Sequence, residues 1–457
     1  NIRVDSRGRE VLRVLPMLSE DVNEEWISDK TRYACDGLAR QRLDKPYVKV
    51  DGKLQPASWH DAFDAIGGKV RGLDGAKIAA IAGDTCDAEA MTALKDLMAA
   101  LGSPNIDCRQ DGAKLTAGAR AGYTFNTTIA GIEDADACLI VGANPRLEAP
   151  IINARLRKRM VAGGFKVGLV GEAVDLTYRY AHLGAGPQTL KEIADGTHEF
   201  CDVLKNAERP MIIVGQGALA RGDGAAVLAS ARDIADTTGM IGEDWNGFNV
   251  LHTAAARVGG LDLGLVPGAG GRDVAGILDG AASGDIEVVY LLAADEIDTA
   301  KLANAFVIYQ GHHGDAGAHV ADVILPGAAY TEKEGTYVNT EGRVQRGRRA
   351  TFPPGDARED WSILRALSEV LGKTLPYNNL GQVRARMAEI APVLDQLDTV
   401  APSDWASFGD AGVMDDTAFV SPITNFYMTD PISRASATMA ACTEAFTGTA
   451  EKTGTDG

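Results

Sequence analysis

The chain has no long hydrophobic run, no excess of positive charge and no paired cysteines. No apolar stretch approaches the roughly 20 residues that span a bilayer. Lys and Arg number 45 against 63 Asp and Glu, for a formal charge of −18. A phosphate-backbone partner needs a basic face, and an anionic lipid surface would repel this balance. By itself an acidic excess means solubility. The six cysteines, Cys35, Cys86, Cys108, Cys138, Cys201 and Cys442, form no CxxC pair. Their scatter gives no disulfide framework and no zinc or iron–sulfur spacing, so free thiols in a reducing compartment are expected. The first residues, NIRVDSRGREVLRVLP, alternate like a strand pair and lack the pattern of a signal peptide. With Asn1 in mid-strand and no initiator Met, the chain is expected to be a fragment.

What is present is ordinary for a globular protein: 45% apolar residues, 24% charged, and 457 residues, enough for about three domains. From about residue 77 the pattern repeats as strand, glycine turn, helix. Strands are expected at Lys77–Ile81, Ala137–Val141, Phe165–Val170, Pro210–Val214, Ile286–Leu292, Ala305–Tyr309 and Asp322–Leu325. Helices are expected over 87–101, with Met91, Leu94, Leu97 and Met98 on one face, over 150–160 and over 223–237. Short β-branched runs that end in glycine and alternate with helices imply parallel sheets covered on both faces. Such sheets bind ligands at the carboxyl ends of their strands. Residues 1–46 read as short strands plus a polar loop, and 396–457 as a mixed stretch with a Gly/Thr-rich tail.

Several local patterns suggest chemistry and then fail a physical requirement. Gly215-Gln216-Gly217 with Ala220 fits a dinucleotide fingerprint after a strand. The fingerprint needs an acidic strand end about 20 residues on, and that region still reads as helix. Gly222-Asp223-Gly224 with Asn249 mimics the spacing that holds Mg²⁺ and thiamine diphosphate, but Asp223 is better placed as a helix N-cap. His312, His313, Asp315 and His319 could form a metal cluster, yet polar capping is commoner in such a glycine-rich loop. Asp84 and Asp87, flanking Cys86, look like a strand-to-helix turn with a capping acid. No catalytic, cofactor-binding or metal-ligating set is expected from these residues.

The densest polar stretch is 321–345, ADVILPGAAYTEKEGTYVNTEGRVQ. A buried strand, Val323-Ile324-Leu325, runs into a loop rich in side chains able to hydrogen-bond. It resembles a signature of the molybdopterin-oxidoreductase superfamily, in which such a segment packs between cofactor domains. The stretches 23–48, 142–159, 332–345 and 425–446 together resemble one family, the large iron–sulfur subunits of proton-translocating NADH:quinone oxidoreductase, respiratory complex I.

The resemblance implies an α/β fold, a degenerate molybdopterin-oxidoreductase body with two interleaved Rossmann-like sheets and a small β-rich domain. Residues 1–46 with 328–352 would form the small domain, a remnant of a cluster domain. The first Rossmann-like domain would take 47–122, 206–327 and 353–395, the second 123–205, and 396–457 would be an extension. Family members carry [2Fe–2S] and [4Fe–4S] clusters in N-terminal modules, and this chain is expected to start after them. Where the superfamily places a cluster-ligating cysteine, Ser28 stands here; Lys30 remains at the superfamily's lysine, and Cys35 is seven residues late. Cys108 in NIDCRQDG precedes Arg109 with no His after it, unlike the superfamily's metal-ligating run. Gly142-Ala143-Asn144-Pro145 matches the phosphate-facing turn as retained architecture.

The implied function is a scaffold in the complex's peripheral arm, docked on neighbouring subunits that include the NADH/FMN-binding module. It would lie on the cytoplasmic face of a bacterial inner membrane or the matrix side of the mitochondrial one, without membrane insertion or nucleic acid. A formate-dehydrogenase-like enzyme with bound molybdopterin guanine dinucleotide is the competing reading and predicts bound metal. A free-standing binding module would be stable alone. Against it, Tyr427 and Met428 are candidates for an exposed contact patch.

Overall fold

The computed structural model describes residues 1–448; the Gly/Thr-rich end of the tail lies outside them. Two sheets organise the chain. One is wholly parallel, in the order Phe248–Val250, Pro210–Val214, Ala137–Val141, Lys166–Val170, Ala181–Gly184. The other has seven strands, with a parallel core of Val323–Pro326, Phe306–Gly311, Val288–Leu292, Ile78–Ala82 and Asn105–Asp107. The hairpin Tyr47–Val50/Lys53–Pro56 extends it antiparallel. Two further hairpins stand apart: Ile2–Arg7 with Glu10–Pro16, and Gly335–Val338 with Val344–Gly347.

The short apolar runs become central strands because both of their faces are covered. In Ile78–Ala82, Ala79 and Ile81 enter one apolar cluster, while Ile78, Ala80 and Ala82 enter another. Alternate residues of a strand point to opposite faces, so a continuous run is required where both are buried. Leu139, Val141, Ile212 and Val214 of the five-stranded sheet join the same large cluster as Ile78, which therefore runs through both sheets. The helix Ala88–Leu101 starts at Asp87, whose carboxylate accepts the Ala90 N–H, and ends at Gly102 in the left-handed conformation. Met91, Leu94, Leu97 and Met98 are all buried.

Strand pairing corrects one expected assignment, that of residues 206–327 as a block to the first Rossmann-like domain. Pro210–Val214 instead pairs with Ala137–Val141, and Phe248–Val250 pairs with Pro210–Val214. Both strands complete the sheet expected of 123–205. Local pattern shows that these runs are buried strands but carries no information on which sheet will accept them. Among the described residues no helix is long and apolar enough to cross a membrane.

Candidate functional site

In open parallel sheets the ligand crevice lies at the carboxyl ends of the strands. In the five-stranded sheet, Ala137–Val141 leads into Gly142-Ala143-Asn144-Pro145 and Pro210–Val214 into Gly215-Gln216-Gly217. These turns pack on each other and on the C-terminal segment. A Cβ on Gly215 would lie 2.4 Å from the Ala143 methyl, and one on Gly217 would lie 2.3 Å from the Val420 carbonyl. Phe419 is 1% exposed and strand-like, donating its N–H to Ala185 and accepting from the Glu172 N–H. Arg221 stacks on Phe419, 5.2 Å from its ring centre, and donates to the carbonyls of Asp415, Thr417 and Ala418.

The anion position of the first turn is also filled. The Asn144 N–H donates to Glu148 Oε1 at 2.7 Å, and the Ser421 hydroxyl donates to the same oxygen at 2.7 Å. Burial pushes the Glu148 carboxyl up, and its Oε2 is buried without a partner. The chain's own carboxyl group and residues 415–421 thus cover the N–H group and the glycine surfaces that these turns present.

At the seven-stranded sheet, acids follow four of the five parallel strand ends: Asp84 after Ile78–Ala82, Asp111 after Asn105–Asp107, Asp295 and Glu296 after Val288–Leu292, and Asp315 after Phe306–Gly311. Arg257, 1% exposed, pairs with Asp111 at 3.0 Å and lies 3.8 Å from Asp84. Burial raises the Asp84 carboxyl to about 7; the Arg257 charge opposes this, while Glu296 and Asp111 add to it. Arg434, on the C-terminal helix Pro431–Ala435, pairs with both Glu296 and Asp315. Asp295 accepts from the Tyr309 hydroxyl at 2.8 Å and the Gly317 N–H at 2.9 Å; burial raises it to about 7 as well. Five carboxyl groups against two guanidinium groups oppose an anionic nucleotide here.

The signature segment bridges the two sheets. On one side Glu332 pairs with Arg42, Lys333 lies between Asp87 and Asp360, and Thr336 donates twice to Glu89. On the other, the Thr340 carbonyl accepts the Phe125 N–H, the Thr340 hydroxyl donates to the Val250 carbonyl, and Glu341 accepts the Ile129 N–H. Most of its polar groups are engaged within the protein, as in a loop held by side-chain hydrogen bonds, while the Thr331 hydroxyl and the Tyr337 hydroxyl are buried without a partner.

The remaining candidates fall into structural positions. Asp87 is the capping acid of the turn at 84–87. Asp223 occupies an N-cap position, but the expected capping bond is absent; its carboxylate pairs with Arg221 and accepts the Asp415 N–H. Asn249 bonds to Thr127 and to the carbonyls of Ile212 and Gly247. His312 and His313 share a 2.5 Å Nδ1–Nδ1 contact, and His313 Nε2 donates to the Gly37 carbonyl. Burial lowers both imidazoles, His313 to about 4. Asp315 pairs with Arg434 and accepts the Ala316 N–H. No group of three or more His, Cys, Asp or Glu suited to a metal ion occurs among the described residues.

Ser28 caps the helix Asp29–Tyr33, and Lys30 donates to Thr429 while lying over the Phe426 ring. Cys35 is half-buried. Burial pushes the Cys108 thiol up to about 12, which keeps it protonated. Tyr427 and Met428 are half-buried; Tyr427 stacks on exposed Phe446 with ring centres 5.7 Å apart.

Sequence reasoning missed Asp111, Arg257, Glu296 and Arg434. For the acids the available signal was their recurrence two to four residues beyond four strand ends of the seven-stranded sheet.

Residues 42–370 match the molybdopterin oxidoreductase model. Residues 1–36 match the 4Fe-4S domain model of NADH-ubiquinone oxidoreductase NDSU1/NuoG-like proteins, and 399–442 match the C-terminal model of the NADH-ubiquinone oxidoreductase G subunit. The match over 1–36 corrects the expectation that the chain lies wholly beyond the cluster modules: its first 36 residues match one of those domains. Its residues do not fit a cluster, since Cys35 is the one cysteine within 1–36 and the Ser28 oxygen caps a helix. The turns after Ala137–Val141 and Pro210–Val214 do not suit a nucleotide phosphate, because the chain itself covers them, while a cavity of about 290 Å³ lies beside His252–Ala255 and Tyr337–Thr340.

The mitochondrial NADH dehydrogenase [ubiquinone] iron-sulfur protein 1 of Solanum tuberosum is 48% identical over 97% of this chain and 59% of its own length. The NADH-quinone oxidoreductase G subunit of Rickettsia bellii is 44% identical over 97% of this chain and 64% of its own. The chain therefore spans about three fifths of these relatives. Acetylene hydratase from Pelobacter acetylenicus shares the fold, with a TM-score of 0.57 at 12% identity over 87% of this chain and 70% of that one. The chain belongs to the molybdopterin oxidoreductase family, and its two ends carry domains typical of the NADH-ubiquinone oxidoreductase G subunit.

Proposed function

We propose that the chain is a scaffold in the peripheral arm of a proton-translocating NADH:quinone oxidoreductase and carries none of the electrons that the assembly passes from NADH to quinone. The observation that carries this reading is the covering of the turns after Ala137–Val141 and Pro210–Val214 by residues 415–421 and by Glu148 on the Asn144 N–H, with Arg434 on Glu296 at the other sheet. Relatives at 44% and 48% identity named as components of such oxidoreductases support the assembly. The partners are the other peripheral-arm subunits, including the NADH/FMN module, on the cytoplasmic or matrix side of the membrane. The division into a small β-rich domain and two Rossmann-like domains is part of this reading, with 206–255 moved to the second.

The test is metal analysis by plasma mass spectrometry on anaerobically purified protein, with an absorption spectrum across the iron region. Iron, molybdenum and tungsten are expected to be sub-stoichiometric. Stoichiometric molybdenum or tungsten would make this an active-site domain and overturn the scaffold reading.

A further inference from the structure

Most buried or half-buried arginines of this chain are matched to acids, as Arg109, Arg155, Arg384 and Arg434 show. Exposed arginines are matched less often, and five of the unmatched ones gather on one surface. The N-terminal hairpin carries Arg7 and Arg9 at its turn, and the strand Val344–Gly347 carries Arg346 and continues into Arg348 and Arg349. The two pieces run side by side. Gln345 Nε2 donates to Asn1 Oδ1 at 2.8 Å, the Ser6 hydroxyl to the Ala350 carbonyl at 2.8 Å, and the Thr351 hydroxyl to the Gly8 carbonyl at 3.5 Å. All five arginines are exposed, and each lacks an ion pair among the described residues. Of the neighbouring acids, Asp5 is held by Arg3 and Arg13, and Glu334, next to the Gly335–Gly347 pair, lies 3.8 Å from Arg384, so Glu10 and Glu334 face five positive charges. Arg349 lies 4.6 Å from the centre of the Phe352 ring, and Phe352 is 57% exposed.

We propose that Arg7, Arg9, Arg346, Arg348, Arg349 and Phe352 form a docking surface for an acidic, apolar-bearing segment of another subunit of the same assembly. This rests on the scaffold reading and names the chemistry of one partner. Guanidinium forks bind carboxylates through paired hydrogen bonds, and arginines and aromatics are enriched at the energetic centres of interfaces. Gathering five like charges without counter-ions costs stability that an acidic partner would return. Protein is favoured over nucleic acid or an anionic membrane by the rest of the molecule. Those polyanions extend well beyond a screening length of about 8 Å and would meet a chain of charge −18. A short acidic segment meets only the local positive field.

The test uses the full-length subunit in the assembled complex. A benzophenone amino acid in place of Phe352 is expected to cross-link a peptide rich in Asp and Glu from a different subunit. The variant R7Q/R9Q/R346Q/R348Q/R349Q is expected to bind that subunit roughly tenfold more weakly, read as its release at lower NaCl. The corresponding five Arg→Lys changes, which keep the charge, should restore most of the binding. Both variants alter exposed side chains, so an unchanged urea midpoint shows that the fold is intact. Adducts confined to this chain, to lipid or to nucleic acid would overturn the proposal. So would a five-Gln variant that retains its neighbours to the same salt as the unaltered subunit. If the unaltered subunit does not purify with the complex, the scaffold reading fails too; if it does and the variant behaves identically, the docking surface alone fails.

Discussion

Lys333 Nζ lies 2.5 Å from Asp360 Oδ2, a fully enclosed ion pair that ties the signature loop to the helix Asp360–Val370. The same ammonium is 2.7 Å from Asp87 Oδ2, so one cation holds two carboxylates of different elements together. Burial alone would raise the Asp360 carboxyl, and the Lys333 charge opposes that most strongly.

Removing that cation leaves two buried carboxylates facing each other. Lys333→Met is expected to destabilise the fold by about 3–5 kcal/mol, the range for breaking a buried pair from one side. Urea unfolding followed by circular dichroism measures it. A loss below about 1 kcal/mol would mean that the site is wetter than the structure indicates.

Asp295 predicts a stability that falls as pH rises. Its folded carboxyl titrates near 7, above the ordinary 3.8, so between those values the folded state holds the proton more tightly. Stability then declines from about pH 4 to pH 7 and is level above it. Asp295→Asn keeps one oxygen for the Gly317 N–H, turns its amide NH2 toward the Tyr309 hydroxyl oxygen, which can accept, and cannot ionise. It is expected to gain on the order of 1–4 kcal/mol at pH 8 relative to the native protein and to flatten that slope. Thermal melts at pH 5 and pH 8 give the comparison.

His252 acts in the opposite direction. Burial first, and then the Arg257 charge, lower its imidazole to about 4 from 6.5, while Nε2 donates to the Tyr123 carbonyl at 2.6 Å. The folded state binds the proton less well than the unfolded one. Stability from this group is full above pH 6.5 and is lost as pH falls toward 4. His252→Gln, able to donate to the same carbonyl, should reduce acid sensitivity within that window and leave pH 8 stability within about 1 kcal/mol. Urea midpoints measured across that window and at pH 8 check both expectations.

The C-terminal strap depends on Phe419 and on the small residues beneath it. Phe419→Ala is expected to cost about 3–5 kcal/mol, the usual range for a fully buried phenyl ring. Gly217→Ala drives a methyl into the Val420 carbonyl, with an expected loss of about 1–3 kcal/mol. Both changes should speed proteolysis between 410 and 421 in a time course read by mass spectrometry. Unchanged cleavage would show that the strap is held elsewhere.

The sequence alone determined the elements whose signal is local. A run such as Ile78–Ala82 or Ala137–Val141, apolar on both faces and ending in glycine, has few alternatives to a covered parallel strand. The Asp87 cap and the one-sided Met91, Leu94, Leu97, Met98 pattern likewise fixed the helix that follows. The resemblance carried by 321–345 and 425–446 pointed to the family, and the single cysteine before residue 36 already spoke against a cluster.

Tertiary structure decided which sheet takes 210–214 and 248–250, and it decided what covers the strand-end turns. The pairing of Arg434 with Glu296 joins residues 138 positions apart, and Ser421 reaches Glu148 across 273. Such contacts depend on the path of the whole chain, because a side chain's charge states what it needs but not which distant partner the fold will bring to it. The same limit hid the arginine surface: Arg7 and Arg349 read as two ordinary solvated stretches until the hairpins lay together.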